Sequence, residues 1–198
     1  MLALHRALGT FRSKVTRYIA LSEFSKKKFI AAGLPADRLS VKPNFVGASD
    51  RSLTNRQGGL FVGRLSEEKG IRVLLDALSL SATSRCTVIG SGPLERIVAA
   101  HPQVHWLGWQ DPNAVRAHMR AASYLVLPSI GYEQFPLVLA EAYACGTPVV
   151  ASRLGALEEL VHDGQDGLLF APGNAAALAE KLSFAANHPN KMRQMGDN

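Results

Sequence analysis

Four charged residues in two short stretches have the types and spacing to do chemistry. Arg64 and Lys69 stand in "GRLSEEKG", directly after the apolar run "GLFVG". Glu133 and Glu141 bracket "QFPLVLA", and every residue from Pro136 to Cys145 is apolar except Glu141. A guanidinium and an ammonium at the end of a strand can hold phosphate together with the free N–H groups of a helix start. The other reading is a solvated pair of cations balanced by Glu67 and Glu68. Ser66 reads as an N-cap, which puts Lys69 in the first helical turn. A cation there opposes the helix dipole unless an anion offsets it.

Glu141 has Leu137, Val138, Ala144 and Cys145 at i±3 and i±4, so its own face is apolar. A lone carboxylate in such a place is costly unless it is neutralised or hydrogen-bonded. An ion pair with Arg153 or His162 would relieve it, as would exposure near the helix end or hydrogen bonds from ligand hydroxyls such as a ribose. Glu133 either meets ligand hydroxyls too or favours the helix N-terminus by its charge. Cations for phosphates and carboxylates for sugar hydroxyls together fit a nucleotide sugar.

The elements that must position these groups show as a period switching between strand and helix. Short apolar runs occur at 17–21, 39–43, 59–63, 86–90, 104–108, 123–128, 148–152 and 167–170. Helical patterns lie between most of them: Ile71, Leu74, Leu75 and Leu78 keep one face, and Asn174 caps the pattern that follows it. Pro93 and Pro136 are placed to open helices, and Gly146 to close one. Strands alternating with helices predict a parallel sheet covered on both faces, an α/β fold whose ligands bind beyond the carboxyl ends of the strands. Gly90 and Gly92 in "VIGSGPLER" begin a Gly-x-Gly pattern, but Glu95 stands where a dinucleotide fingerprint needs its third glycine. A nicotinamide-dependent dehydrogenase is disfavoured on that ground, and the glycines read as a tight turn. "GASDRSLTNRQGG" is polar and aperiodic, which marks a linker.

With 198 residues, 47% of them hydrophobic, the chain suits one domain of this class with part of a neighbour attached. No run of eighteen apolar residues exists to span a membrane. Cys86 and Cys145 sit in apolar segments and read as core residues of a reducing compartment. A net charge of +6 favours anionic partners. Nothing beyond that charge points to nucleic acid. "SKKKF" at 25–29, with Arg12, Lys14 and Arg17 nearby, reads as a solvated helix face or as a contact with acidic lipid or a phosphorylated acceptor. The acid-poor N-terminal stretch reads as a helix of the folded protein rather than a transit peptide. "DGQDG" at 163–167 lacks the closing glutamate of a calcium loop and reads as a turn.

"GYEQFPLVLAEAYACGTPVVAS", with its Glu-x7-Glu arrangement, resembles the donor-site motif of retaining GT-B glycosyltransferases of the family 4 group. "FVGRLSEEKG", "VIGSGPLER", "VHWLGW" and "SRLGALEELVHDGQDGLLFAPGN" are similar to that family's other blocks, in the same order. "YIALSEFSKKKFIAAGLPADRLSVKPNFV" resembles its interdomain segment. The resemblance implies the C-terminal half of a GT-B fold, a Rossmann-like parallel sheet with helices on both faces. Residues 59–198 would be the donor domain, 47–58 a linker and 1–46 a remnant of the acceptor domain.

The resemblance also assigns roles. Arg64 and Lys69 would bind the donor diphosphate and stabilise the leaving group, Glu133 would contact the donor sugar, and Glu141 would hold the ribose hydroxyls. Gly63, Gly90 and the backbone of Phe135, Leu137 and Val138 would line the donor site. The reaction would keep the anomeric configuration, without a protein nucleophile, a cofactor or a metal. The expected partners are a nucleotide-sugar donor, an acceptor sugar or lipid-linked glycan, and the missing N-terminal domain. The expected location is the cytoplasm, free or peripheral at an anionic inner membrane face. The chain reads as cut short at both ends, a fragment that could bind donor and transfer nothing; the alternative function is a non-catalytic nucleotide-sugar binding module or regulatory partner.

Overall fold

The computed structural model describes residues 4–5, 8–47 and 56–198. Most of the expected linker therefore falls outside the described residues, as do parts of the expected N-terminal helix and the side chain of Arg12. A helical turn, α1 (Thr10–Ser13), precedes strand β1 (Tyr18–Ala20), helix α2 (Glu23–Ala31) and strand β2 (Leu39–Val41). β1 and β2 pair in parallel as a small sheet of their own, so two of the eight expected strands stand apart from the main sheet.

The main sheet alternates with helices throughout. Its elements are β3 (Gly59–Val62), α3 (Ile71–Leu80), β4 (Cys86–Ile89), α4 (Glu95–Ala99), β5 (Val104–Gly108), α5 (Pro112–Ala121) and β6 (Tyr124–Leu127). They continue with α6 (Leu137–Ala144), β7 (Val149–Ser152), α7 (Ala156–Leu160), β8 (Gly167–Phe170), α8 (Ala175–Asn187) and α9 (Pro189–Asp197). The strands are parallel, in the order β5-β4-β3-β6-β7-β8. The chain winds outward from β3 to β5, returns to place β6 beside β3, and winds outward the other way. This is the doubly wound α/β fold that the sequence predicts. Its order reverses between β3 and β6, which opens a crevice beyond their carboxyl ends.

The strands read as nearly continuous apolar runs because both faces of the sheet are covered. Phe61, Val126 and Val150 face a core with Leu74 and Leu78 of α3 and with Leu178 and Leu182 of α8. Their neighbours Leu60, Leu125 and Val149 face a second core with Leu139 and Ala142 of α6. The Asn174 side chain accepts the Ala177 N–H at 2.9 Å, capping α8 as expected. Cys86 and Cys145 are buried and joined in no disulfide, and burial pushes the Cys86 pKa up to about 12.

Pro93 does not open a helix. It lies in a turn, α4 begins at Glu95, and the Glu95 carboxylate turns back to accept the Gly92 N–H at 2.8 Å. The carboxylates of "DGQDG" are taken up by the protein. Asp163 accepts from Arg153 and from the Leu169 N–H, and Asp166 accepts from the Tyr143 hydroxyl. The segment is a turn, as read.

Candidate functional site

Two loops meet at the reversal point, one leaving β3 and one leaving β6. The first begins at Gly63, whose N–H donates to the Ile89 carbonyl at 3.0 Å. Gly90 has φ 132°, and a Cβ there would stand 1.9 Å from the Gly63 carbonyl oxygen. The close approach made by this turn is therefore to the β3 loop itself. Arg64 is exposed; its carbonyl accepts the Ser66 N–H at 3.1 Å, and its guanidinium makes no hydrogen bond among the described residues.

Ser66 does not cap a helix. Its hydroxyl donates to Glu68 Oε1 at 2.6 Å, and the residues after it, Glu67–Lys69, form a single 3-10 turn. That hydrogen bond, helped by the charge of Arg64, holds the Glu68 carboxyl below its usual range. Glu67 accepts from Arg72 at 2.7 Å. Helix α3 starts only at Ile71, so Lys69 lies before the helix rather than in its first turn. The sequence alternative, Arg64 and Lys69 solvated and paired with Glu67 and Glu68, is met only in part: both cations act on Glu68 by their charge, but Glu67 pairs with Arg72 and Lys69 with Glu133.

Lys69 instead reaches the second loop. Gly70, at φ 71°, makes this possible: a Cβ there would lie 1.8 Å from the Pro128 carbonyl oxygen. Glycine lets the turn and the β6 loop touch backbone to backbone. The N–H groups of Ile130 and Gly131 both donate to the Glu68 carbonyl at 3.0 Å and fasten the same junction. Lys69 Nζ then lies 2.6 Å from Glu133 Oε1, and the Ser129 hydroxyl donates to that oxygen at 2.9 Å. Glu133 is thus bound to a cation and a hydroxyl, not to the N-terminus of α6.

Helix α6 follows. Pro136 occupies the position before its first residue, one earlier than expected, with φ −65°. The N–H groups of Leu137 and Val138 open the helix and have no intrahelical acceptor. The Phe135 carbonyl accepts from Asn44 at 3.3 Å. Glu141 is half-buried on α6, and its carboxylate makes no hydrogen bond among the described residues. Both rival partners are engaged elsewhere, Arg153 with Asp163 and His162 with Asp166, each at 2.6 Å. Desolvation raises the Glu141 pKa, and the charge of Arg116 opposes the rise.

A cleft of about 460 Å³ is bordered by Gly63, Arg64, Gly90, Gly92, Trp109 and Gln110, while Lys69, Glu133, Phe135, Leu137, Val138 and Glu141 lie outside its lining. A larger cavity of about 610 Å³ lies at the opposite end, where Gly59, Cys86, Val104 and Tyr124 begin their strands. Ligands of open α/β sheets bind at the carboxyl ends, so the smaller cleft is the candidate site. The structure brings Lys69 and Glu133 together and sets Gly63, Arg64 and Gly90 on one cleft. Sequence reasoning missed Ser129, Trp109 and Gln110. Only Trp109, a large aromatic directly after a strand, carried a signal.

The family model described as glycosyl transferases group 1 matches residues 56–188, more than half of the chain. The chain belongs to this family. It is 34% identical over 194 residues to the phosphatidyl-myo-inositol mannosyltransferase of Mycobacterium leprae, a match over 88% of this chain and 51% of that protein. It is 36% identical over 146 residues to an uncharacterized glycosyltransferase of Methanocaldococcus jannaschii, over 71% of this chain and 41% of that protein. Among solved structures, Anabaena HepE in complex with UDP-glucose superposes with a TM-score of 0.86 at 25% identity. That superposition covers 100% of this chain and 61% of HepE. This group 1 chain spans about half the length of the curated relatives it matches.

Proposed function

We propose that this chain supplies the donor-binding half of a retaining glycosyltransferase. The enzyme would move a sugar from a nucleoside diphosphate sugar to a glycan, lipid-linked or small-molecule acceptor. Residues 59–198 form the donor domain, 47–58 the linker and 1–46 the end of the acceptor domain. The observation that carries the reading is Glu141: a desolvated carboxylate on α6, the helix that follows β6, with no hydrogen bond among the described residues and suited to a pair of ribose hydroxyls.

Arg64 and Lys69 take the diphosphate, together with the N–H groups that open α6 and the backbone at Phe135. Glu133 meets the donor sugar, and the base lies in the cleft beside Gly63, Gly90 and Trp109. The bond from the anomeric carbon to the diphosphate breaks with its electron pair on the diphosphate, where the two cations stabilise the growing charge. The acceptor hydroxyl attacks from the same face, and its proton passes to the departing phosphate oxygen. No protein nucleophile, cofactor or metal takes part. The UDP-glucose complex of HepE and the mannosyltransferase relatives support a nucleotide-sugar donor. The basic N-terminal segment contacts an anionic membrane from the cytoplasmic side.

Calorimetric titration with UDP, GDP, ADP and NAD tests the reading. One nucleoside diphosphate should bind, and Glu141→Ala should weaken it about tenfold or more. Absence of binding to all four, in this chain and in a longer one carrying the preceding domain, would overturn it.

A further inference from the structure

We propose that the N-terminal segment holds the Glu133 loop in place through a latch made by Glu159, Phe24, Lys28 and Asn44. The effect on the donor sugar rests on the donor-site reading above. Helix α2 opens with N–H groups that need acceptors. Ser22 accepts the Ser25 N–H at 3.1 Å. The N–H groups of Glu23 and Phe24 find the two oxygens of Glu159, on α7, at 2.9 and 2.7 Å. A carboxylate here also complements the helix dipole.

This cap fixes where Phe24 stands. Its ring centre is 5.0 Å from that of Tyr132, and Lys28, one turn further along α2, sits 4.7 Å from the Tyr132 ring centre. Both contacts fall within the range of aromatic pairing and cation–π attraction. Gly155, just before α7, leaves the room they need: a Cβ there would lie 3.1 Å from each ring. Asn44 then holds the Phe135 carbonyl. Tyr132 stands one residue before Glu133 and Phe135 two after it, and both are gripped from the N-terminal segment. Tyr132 is 64% exposed, so little else packs on it. Movement of the N-terminal segment against the main sheet therefore reaches Glu133 through Tyr132 and Phe135. Glu159, Phe24, Lys28 and Asn44 are positioning residues.

Hydrogen exchange measured by mass spectrometry on the whole chain tests the latch without any ligand. Phe24→Ala and Glu159→Ala should speed exchange in peptides covering residues 130–138 and leave those of β3 and β7 unchanged, which shows that the chain is folded. Glu159→Gln, which keeps one acceptor oxygen, should restore part of the protection. Unchanged exchange at 130–138 in both alanine variants would overturn the proposal.

A second arm compares UDP with UDP-glucose. The latch variants should lose roughly fivefold of the affinity increment that the glucose adds, over and above any loss shared with UDP. Equal loss for both ligands would overturn the link to Glu133. Failure of the unmodified chain to bind either would overturn the donor-site reading, while the exchange result would still decide the latch.

Discussion

Glu141 weighs on the folded state in a way that pH can reveal. Desolvation holds its pKa above the ordinary 4.5, so the folded chain binds this proton more tightly than the unfolded chain does. Stability from this group is greatest below the unfolded value, falls as pH rises through the window up to the folded value, and then stays level. Urea unfolding of Glu141→Gln should therefore show a gain over the parent at neutral pH that shrinks toward zero as pH falls below that window. Nucleotide affinity should move the opposite way, falling with pH in the parent as the carboxylate is protonated. A parent and variant with identical pH profiles would remove Glu141 from the site. This residue was legible in the sequence because a single charge breaks an apolar helix. Tyr132 and Asn44 were not, since their roles come from contacts with residues roughly a hundred positions away.

The strands and most helices were legible because short apolar runs and the 3.6-residue face of α3 follow from burial on both sides of a sheet. The turn at Glu67–Lys69 was not. Ser66 followed by two acids has the look of a helix start, and only the distant carbonyl of Pro128 shows why Gly70 interrupts it. Gly70→Ala would force a left-handed residue and a backbone clash at once. It should cost about 2 kcal/mol or more in urea unfolding. It should also weaken nucleotide binding, by parting Lys69 from the β6 loop. A variant as stable as the parent would mean that the junction gives way easily and does little to hold the site. Pro93 misled for a related reason: the Gly92 N–H is capped by Glu95, so the turn before α4 runs longer than proline alone suggests.

Charge divides the molecule in two. Residues 1–47 hold nine Lys and Arg against two Asp and Glu, whereas residues 48–198 hold thirteen against fourteen. The excess lies wholly in the N-terminal segment, which matches the proposed membrane contact. Vesicles containing phosphatidylserine should sediment the chain at low salt and release it at high salt. The pair Lys26→Glu and Lys27→Glu should lower the salt needed for release. Equal binding to uncharged vesicles would rule this contact out.

The main sheet has a consequence of its own. β3 and β6 are neighbours in space, yet Lys69 and Glu133, on the loops that follow them, are 64 residues apart in the chain. A ligand that needs both can bind only when the two windings have come together. Free ligand at about 100 times its Kd would add about 2.7 kcal/mol to the unfolding free energy. The melting temperature then becomes a gauge of site occupancy, readable with no acceptor and no turnover.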